Sequence, residues 1–306
     1  MNNNKRLTGK VAVITGAGRG IGRAEALSLA AEGARIVVND LGASIAGEGS
    51  SSTPAEEVVK EIINIGGEAV ANFDSVATLA GSESIIKSAI DSFGRIDILV
   101  NNAGIVRARV IYNMSEEEWD TVLKTHLYGH FYCTRSACTY FRQQRSGTII
   151  NTSSIVGLGR MGQVNYSAAK EGIIGFTRSV ARDMGKYGVT CNAIRPWAGT
   201  RMLLTNEQKA AWEKEGFQEN IRMAEACTTE MVAAFVVFLC TDAALNVNGY
   251  DFYVGGGKIG VYTQPELKQV IGEPGKQWTV DDLVDILPGK LTGNLVNPAP
   301  GDLINS

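Results

Sequence analysis

The sequence predicts an α/β protein: a doubly wound, mostly parallel sheet in a single domain with a C-terminal extension. Three observations carry that expectation. Short apolar runs alternate with longer stretches of helical spacing, the apolar runs show no alternation of polarity, and a glycine-rich turn joins the first run to the first helical stretch. Continuous apolar strands belong to a parallel sheet covered on both faces. The chain has 306 residues, and parallel α/β folds reach about 250 residues as one unit. The domain is accordingly placed at 1–257 and the extension at 258–306.

Each element follows in order. "KVAVITG" is a strand stopped by glycine, "IGRAEALSLAAEG" a helix ending at Gly33, and "ARIVVND" a second strand. The alternation continues through "EAVANF", a helix over 82–93, "IDILVNN", a long helix over 115–142 and the strand "GTIINTSS". A helix over about 164–186, the strand "VTCNAI", a helix near 229–241 and a last strand at "DFYVGGG" complete the domain. Two segments break this rhythm. "LGASIAGEGSSSTP" (41–54) is longer than the roughly 2–6 residues usual between strand and helix. Residues 197–224 carry Trp197, Trp212, Phe217 and Met223 among charges, which suits a helical flap over a pocket. In the extension, "TVDDLVDIL" opens like a capped short helix and "PGKLTGNLVNPAPGD" reads as extended.

Composition excludes several classes. With 29 basic against 32 acidic residues the formal charge is −3, so no basic field draws a nucleic acid. Cys133, Cys138, Cys191, Cys227 and Cys240 form no C-x-x-C pair and are odd in number, the pattern of buried thiols in a reducing compartment rather than of disulfides or a thiolate metal site. "MNNNKRLTGK" lacks the apolar segment of a secretory signal, no run of about 18 apolar residues follows, and "LINS" is not a peroxisomal address. A cytoplasmic protein without membrane attachment is expected.

"TGAGRGIG" (15–22) follows the first strand and opens the first helix. G-x-G-x-x-G fails because its third glycine would fall at Ile21. G-x-x-x-G-x-G fits, with Gly16, Gly20 and Gly22. Such a loop lets backbone approach a pyrophosphate resting on the helix N-terminus, the device of a Rossmann-type sheet. The second strand ends at Asp40, eighteen residues after Gly22, where a carboxylate accepts bonds from ribose hydroxyls and repels a 2′-phosphate. That favours NAD over NADP. Arg19 dissents, because a guanidinium in this loop suits a 2′-phosphate.

Tyr166 and Lys170 in "NYSAAK" stand four apart on a helix, so the amine can sit beside the phenol. A free tyrosine has a pKa of about 10, and a nearby cation stabilises its phenolate. Twelve residues upstream, Ser154 lies at the C-terminal end of a strand, where open α/β sheets place ligands.

Taken in order, "TGAGRGIG", "NNAG" (101–104), "NTSS" and "YSAAK" resemble the short-chain dehydrogenase/reductase family over about 8–257. The resemblance implies that Ser154 hydrogen-bonds the substrate oxygen, Tyr166 exchanges its proton, and Lys170 supports Tyr166 and holds the nicotinamide ribose. The family commonly places thirteen positions between Ser and Tyr, which selects Ser153; the pattern Ser-x-x-Gly selects Ser154, which is preferred. The family's fourth catalytic position, commonly Asn, is His126 in "WDTVLKTHLYG", where its carbonyl or ring would hold a proton-relaying water. His130 then reads as a helix-packing residue, and no metal site is expected. For the cofactor, the resemblance implies contacts from Gly16, Arg19, Gly20, Ile21, Gly22, Asp40, Asp74, Ser75, Val76, Ala103, Gly104 and Pro196. Asn101 falls near the nicotinamide-side ribose and Gly199 and Thr200 near the carboxamide, with Tyr166 and Lys170 completing the set.

"VVNDLG", "GRIDILVNNAGIVRAR", "EEWDTVLKTHLYG", "GQVNYSAAKEGIIGFT" and "RPWAGTRM" look like the branch containing the (3R)-hydroxyacyl-CoA dehydrogenase part of peroxisomal multifunctional enzyme type 2 and its bacterial relatives. This implies NAD-dependent interconversion of a secondary alcohol and a ketone on a small molecule, a (3R)-hydroxyacyl-CoA first, with a hydroxysteroid or alicyclic alcohol as the alternative. A nucleotide-sensing protein without turnover is a further reading. By the same resemblance the long helices pair between subunits of a homodimer or homotetramer. Trp197 suits either a lid or a buried anchor for its loop.

Overall fold

The computed structural model describes residues 5–198, 209–210, 213–219, 221–222 and 227–295. The chain divides into two compact units, Met1–Tyr262 and Thr263–Ser306.

The first unit is built on an eight-stranded sheet. Its strands are β1 (Val11–Thr15), β2 (Arg35–Asn39), β3 (Ala69–Asn72), β4 (Ile98–Asn101), β5 (Gly147–Thr152), β6 (Val189–Trp197), β7 (Asp251–Gly255) and β8 (Lys258–Val261). They lie in the order β3-β2-β1-β4-β5-β6-β7-β8. All neighbours are parallel except β7 and β8. Every residue of β1 and β4 is buried, as strands covered on both faces require.

Helices cover the sheet on both sides: α1 (Gly20–Ala31), α2 (Thr53–Asn64) and α7 (Thr229–Leu239) on one, α3 (Leu79–Phe93), α5 (Gly129–Gln144) and α6 (Val164–Gly185) on the other. The order reverses at β1, which pairs with both β2 and β4. Crossovers leave in opposite directions there, and the loops at the strands' carboxyl ends part to form a crevice.

The expected helix over 115–142 is interrupted. It is α4 (Glu116–Leu123), a π-helical turn at Lys124–Tyr128, and α5. Ser115 caps it, accepting from the Glu118 amide while the Glu118 carboxylate accepts from the Ser115 amide. The sheet also runs past the expected boundary at 257. Gly256 and Gly257 take φ of 58° and 73°, the conformation of a two-residue hairpin turn, and β8 folds back on β7. That turn moves the boundary of the first unit to Tyr262. Most of the expected flap over 197–224 lies outside the described residues, Gly199, Thr200, Trp212 and Met223 among them.

In the second unit, α8 (Val280–Leu287) begins with the expected cap, Thr279 and Asp282 exchanging backbone and side-chain bonds. The segment read as extended instead begins with a π-helical turn over Pro288–Thr292. Pro288 has φ −56°, which suits a helix, so proline here costs only its missing N–H. Residues 296–306 lie outside the described ones.

One core residue defies the pattern. Glu25 of α1 is fully buried, and neither carboxyl oxygen has a hydrogen-bond partner among the described residues. Burial pushes its carboxyl up to about 8 from 4.5. The thiol of Cys240 is raised too, first by burial and then by Glu25. A carboxyl that holds its proton more tightly when folded leaves stability intact below pH 4.5 and costs stability as pH rises from there toward 8. The slope is about 1.4 kcal/mol per pH unit. The melting temperature of Glu25→Gln relative to the wild type is therefore expected to rise progressively between pH 5 and 8. A difference that stays constant across that range would contradict the buried, proton-holding carboxyl.

Candidate active site

The site begins where the backbone of the β1–α1 turn has no room for side chains. Gly16 takes φ +65° with Ala103 Cα 2.8 Å from where its Cβ would stand. A Cβ on Gly22 would lie 2.4 Å from both Asn102 Nδ2 and the Gly16 carbonyl oxygen. Gly20 has φ +57°. Gly18, which the spacing argument passed over, donates its N–H to Asp40 Oδ2 at 2.7 Å and has no space beside Pro54 and Asp40. The first turn of α1 contains no acidic residue and receives no side-chain cap, so its N–H groups face the cleft as an anion site.

A cavity of about 300 Å³ opens over this turn, at the low end of small-molecule sites. Of the residues the resemblance assigns to the cofactor, Gly16, Arg19, Gly20, Ile21, Asp40, Asp74, Ser75, Val76, Ala103 and Gly104 line it. Asp40 is held by the N–H groups of Gly18 and Gly42, each at 2.7 Å. Asn101 departs from expectation. Its side chain turns into the core, donating to Thr134 Oγ1 at 3.0 Å and Asn151 Oδ1 at 2.9 Å. Asn102 lines the cavity instead and donates to the carbonyls of Thr15 and Gly16. Successive side chains leave a strand on opposite sides, so the two asparagines of "NNAG" cannot share a direction.

A second cavity, of about 180 Å³, shares Ile21, Asn102 and Gly104 with the first and continues to Ser154, Tyr166, Lys170, His126, Pro196 and Trp197. Adjacent serines at the end of β5 part company here. Ser153 Oγ donates to the Lys170 carbonyl at 2.7 Å, tying strand to helix. Ser154 lines the cavity together with Tyr166, and its hydroxyl accepts the Val156 amide at 3.1 Å. On α6, Lys170 Nζ lies 5.4 Å from the Tyr166 ring centre and donates to the Thr152 carbonyl.

His126 enters from the π turn. Its Nε2 is 2.8 Å from the Ile105 carbonyl oxygen and 3.0 Å from the Ile105 amide nitrogen, so the ring bonds Ile105 in either neutral tautomer. It stands edge-on to Tyr166, ring centres 5.1 Å apart. A Cβ on Gly104 would lie 2.4 Å from its Cε1. The His126 carbonyl, expected to be open to a relaying water, accepts Nδ1–H of His130 at 2.7 Å. His130 is therefore a buried clamp on the π turn as well as a packed residue.

Residues 10–211 match the model of the short chain dehydrogenase family. The chain is a short-chain dehydrogenase. It is 40% identical over 304 residues to hydroxyacyl-CoA dehydrogenase ChsB1 of Mycobacterium tuberculosis, covering 95% of this chain and 91% of that one. It is 44% identical over 256 residues to mouse peroxisomal multifunctional enzyme type 2, covering 83% of this chain and 33% of the enzyme. A crystal structure of a short chain dehydrogenase from Mycobacterium avium superposes with a TM-score of 0.80 at 42% identity, covering 96% of this chain and 98% of that one. The protein is thus an oxidoreductase acting on CH–OH groups, in a family that uses NAD or NADP.

Arg195, just before the Pro196–Trp197 pair, is a site residue that sequence reasoning missed. This dehydrogenase buries its guanidinium between Asp251 (2.8 Å) and Glu171 (2.9 Å), and it donates to the Ser154 carbonyl at 3.0 Å. Its ion pairs are long-range, so no local spacing announces them. Asn165, beside Tyr166, is another. It donates to the carbonyls of Arg107 and Glu118 and accepts the Tyr166 amide, fastening the first turn of α6 to two other segments. Among the described residues, no group of three or more His, Cys, Asp or Glu side chains is placed to hold a metal. Nor, among them, is any helix long and apolar enough to cross a membrane.

Burial governs protonation in the dehydrogenase's cleft. It pushes the Tyr166 phenol up to about 12, with the nearby Ser154 hydroxyl pulling the other way, and Lys170 down to about 7. The lysine does not by itself bring the phenol within reach of neutral pH, contrary to the simple expectation from their spacing, because desolvation acts on both partners. His126 is driven well below 6.5 by burial and then by Lys170, and His130 to about 3 for the same reasons.

Both histidines should therefore stay neutral through the working range. Their depressed folded values contribute stability above pH 6.5 that is lost as pH falls, for His130 toward about 3. As the chain has only these two histidines, ¹⁵N-histidine NMR reads them directly. Neutral-ring shifts unchanged from pH 8 to 5 are expected; a midpoint near 6.5 for either ring would contradict the buried geometry.

Proposed function

We propose that this dehydrogenase interconverts a (3R)-hydroxyacyl thioester, first a (3R)-hydroxyacyl-CoA, and its 3-ketone, using NAD. The observation that carries the reading is the convergence of the Ser154 hydroxyl, the Tyr166 phenol and the Lys170 amine in a cavity continuous with the glycine-turn cavity. A non-catalytic nucleotide sensor has no use for that trio. The names borne by its relatives, a hydroxyacyl-CoA dehydrogenase and a peroxisomal multifunctional enzyme, support the substrate class. The reading extends to a homodimeric or homotetrameric enzyme of the cytoplasm.

A dinucleotide fits the residues present. The crowded glycine turn, the uncapped start of α1 and the Asp40 carboxylate would hold pyrophosphate and adenosine ribose. The nicotinamide would supply the hydride acceptor and a positive ring. Ser154 holds the substrate oxygen as it becomes a carbonyl. Tyr166 takes the hydroxyl proton, and Lys170, poised near neutrality, favours the phenolate when it carries its own proton. His126, neutral and bonded to Ile105, supports the Tyr166 ring rather than donating a proton. Asp40 disfavours a 2′-phosphate, while Arg19 lies exposed at the same cavity.

The test is NADH formation with 3-hydroxyacyl-CoAs, hydroxysteroids and alicyclic alcohols. Turnover should be best with the first class, and NAD should outperform NADP. Tyr166→Phe should lose on the order of a hundredfold or more in rate while keeping NAD affinity. Ser154→Ala should be similarly impaired, whereas Ser153→Ala, whose hydroxyl serves the Lys170 carbonyl, should retain most activity. Steroid oxidation without acyl-CoA oxidation would transfer the assignment to the alternative. An inactive Ser153→Ala beside an active Ser154→Ala would reverse the serine roles.

A further inference from the structure

Arg160 is unlike the other arginines near the catalytic cavity. Arg107 pairs with Glu117 and the Ala46 carbonyl, Arg109 with Glu118, and Arg195 with Asp251 and Glu171. Arg160 lines the same cavity as Ser154 and Tyr166. It is exposed, and among the described residues its guanidinium has no ion pair, hydrogen bond or ring partner. The described lining of that cavity includes Arg160 and Lys170 and no carboxylate. Lys170 is sealed at the floor and donates to Thr152. The free positive charge is therefore at the rim.

The rim is shaped to present it. Gly159 and Gly162 have φ of 107° and 74°, so the chain turns sharply on either side of Arg160 and Met161. The turn is tied across the mouth to the segment after β4, the Arg109 amide donating to the Gly162 carbonyl at 2.7 Å. Leu158 and Met161 flank Arg160 at 63% and 72% exposure. An unpaired guanidinium among exposed apolar side chains, at the entrance to a cavity ending in a phenol and a hydroxyl, suits a molecule of mixed character. Its reacting end is neutral and its other end is anionic.

We propose that Arg160 is a specificity-determining residue that binds the phosphate of a phosphopantetheine-type thioester carrier while the acyl portion reaches Ser154 and Tyr166. This rests on the hydroxyacyl thioester reading above and deepens it. A guanidinium offers a phosphate two parallel donors, which a lysine cannot. Coenzyme A and an acyl-carrier protein both present such a phosphate, and the experiment separates them.

The full-length enzyme is assayed with one 3-hydroxyacyl group on three carriers: coenzyme A, an acyl-carrier protein, and N-acetylcysteamine, which has no phosphate. Arg160→Ala should raise KM for the coenzyme A ester about five- to tenfold with little change in kcat, as expected for a rim charge-assisted contact. Arg160→Glu should raise it further and Arg160→Lys should restore part of the loss. KM for the N-acetylcysteamine ester should be unchanged in all three variants. The same pattern with only the carrier-protein ester would support the phosphate anchor and identify the protein as its source. Equal KM for wild type and Arg160→Ala on both phosphate-bearing esters would overturn the assignment, as would an equal rise on the phosphate-free ester. Wild-type turnover of the N-acetylcysteamine ester alone would overturn the anchor and leave the hydroxyacyl reading standing; turnover of none of the three would overturn both.

Discussion

The cleft is organised around an amine that has been taken out of water. Lys170 is 2% exposed, and a lone charge in such a place costs several kcal/mol unless neighbours compensate it or it sheds its proton. The structure does some of each. Thr152, the last residue of β5, turns its carbonyl to the amine, and burial brings the pKa to about 7. An amine near its midpoint at neutral pH can be an ammonium beside a phenolate at one moment and a neutral base at the next. Surface lysines cannot do this, and the parallel sheet supplies the interior in which one can.

Holding that amine requires the end of β5 and the start of α6 to keep a fixed relation. Ser153 Oγ binds the Lys170 carbonyl, Arg195 binds the Ser154 carbonyl, and Asn165 fastens the first turn of α6. Behind them, Asn101 and Asn151 join β4 to β5, and Asn151 reaches Thr177 on α6. Buried polar groups with their bonds made specify one arrangement. Here they cluster toward the carboxyl ends of the central strands, so the fold is most tightly specified around the candidate site. The glycine turn obeys the same logic by other means. It has no space to adjust, and close packing against Asn102 and Ala103 sets its path.

Much of this was legible in the residues. The strands announced themselves as unbroken apolar runs, and the glycine turn and the Tyr166–Lys170 pair by spacings that a local rule converts into geometry. The preference for Ser154 over Ser153 rests on where the next glycine stands; in the fold Ser153 Oγ donates to the Lys170 carbonyl, while Ser154 lines the cavity with Tyr166. What escaped depended on contacts distant in sequence or on small changes of backbone register. Asn101 and Asn102 differ by one position and face different surroundings. The π turn at Lys124–Tyr128 has no strong sequence mark, yet it accompanies the entry of His126 into the cleft. The hairpin at Gly256–Gly257 was marked by its glycines, but "KIGV" is too short and exposed to read as a strand. The sign of the Tyr166 shift was missed for another reason: spacing reveals that two groups are near each other, not how little water surrounds them.

The most direct test of this account is the titration of Lys170 itself. In protein labelled at lysine ¹³Cε, with the signal assigned by its loss in Lys170→Met, the ε-carbon shift reports ionisation of the amine. The account predicts a midpoint near 7 for the cofactor-free enzyme. A midpoint at the ordinary 10.5 would show that the amine remains solvated, and would contradict the claim that burial tunes the site.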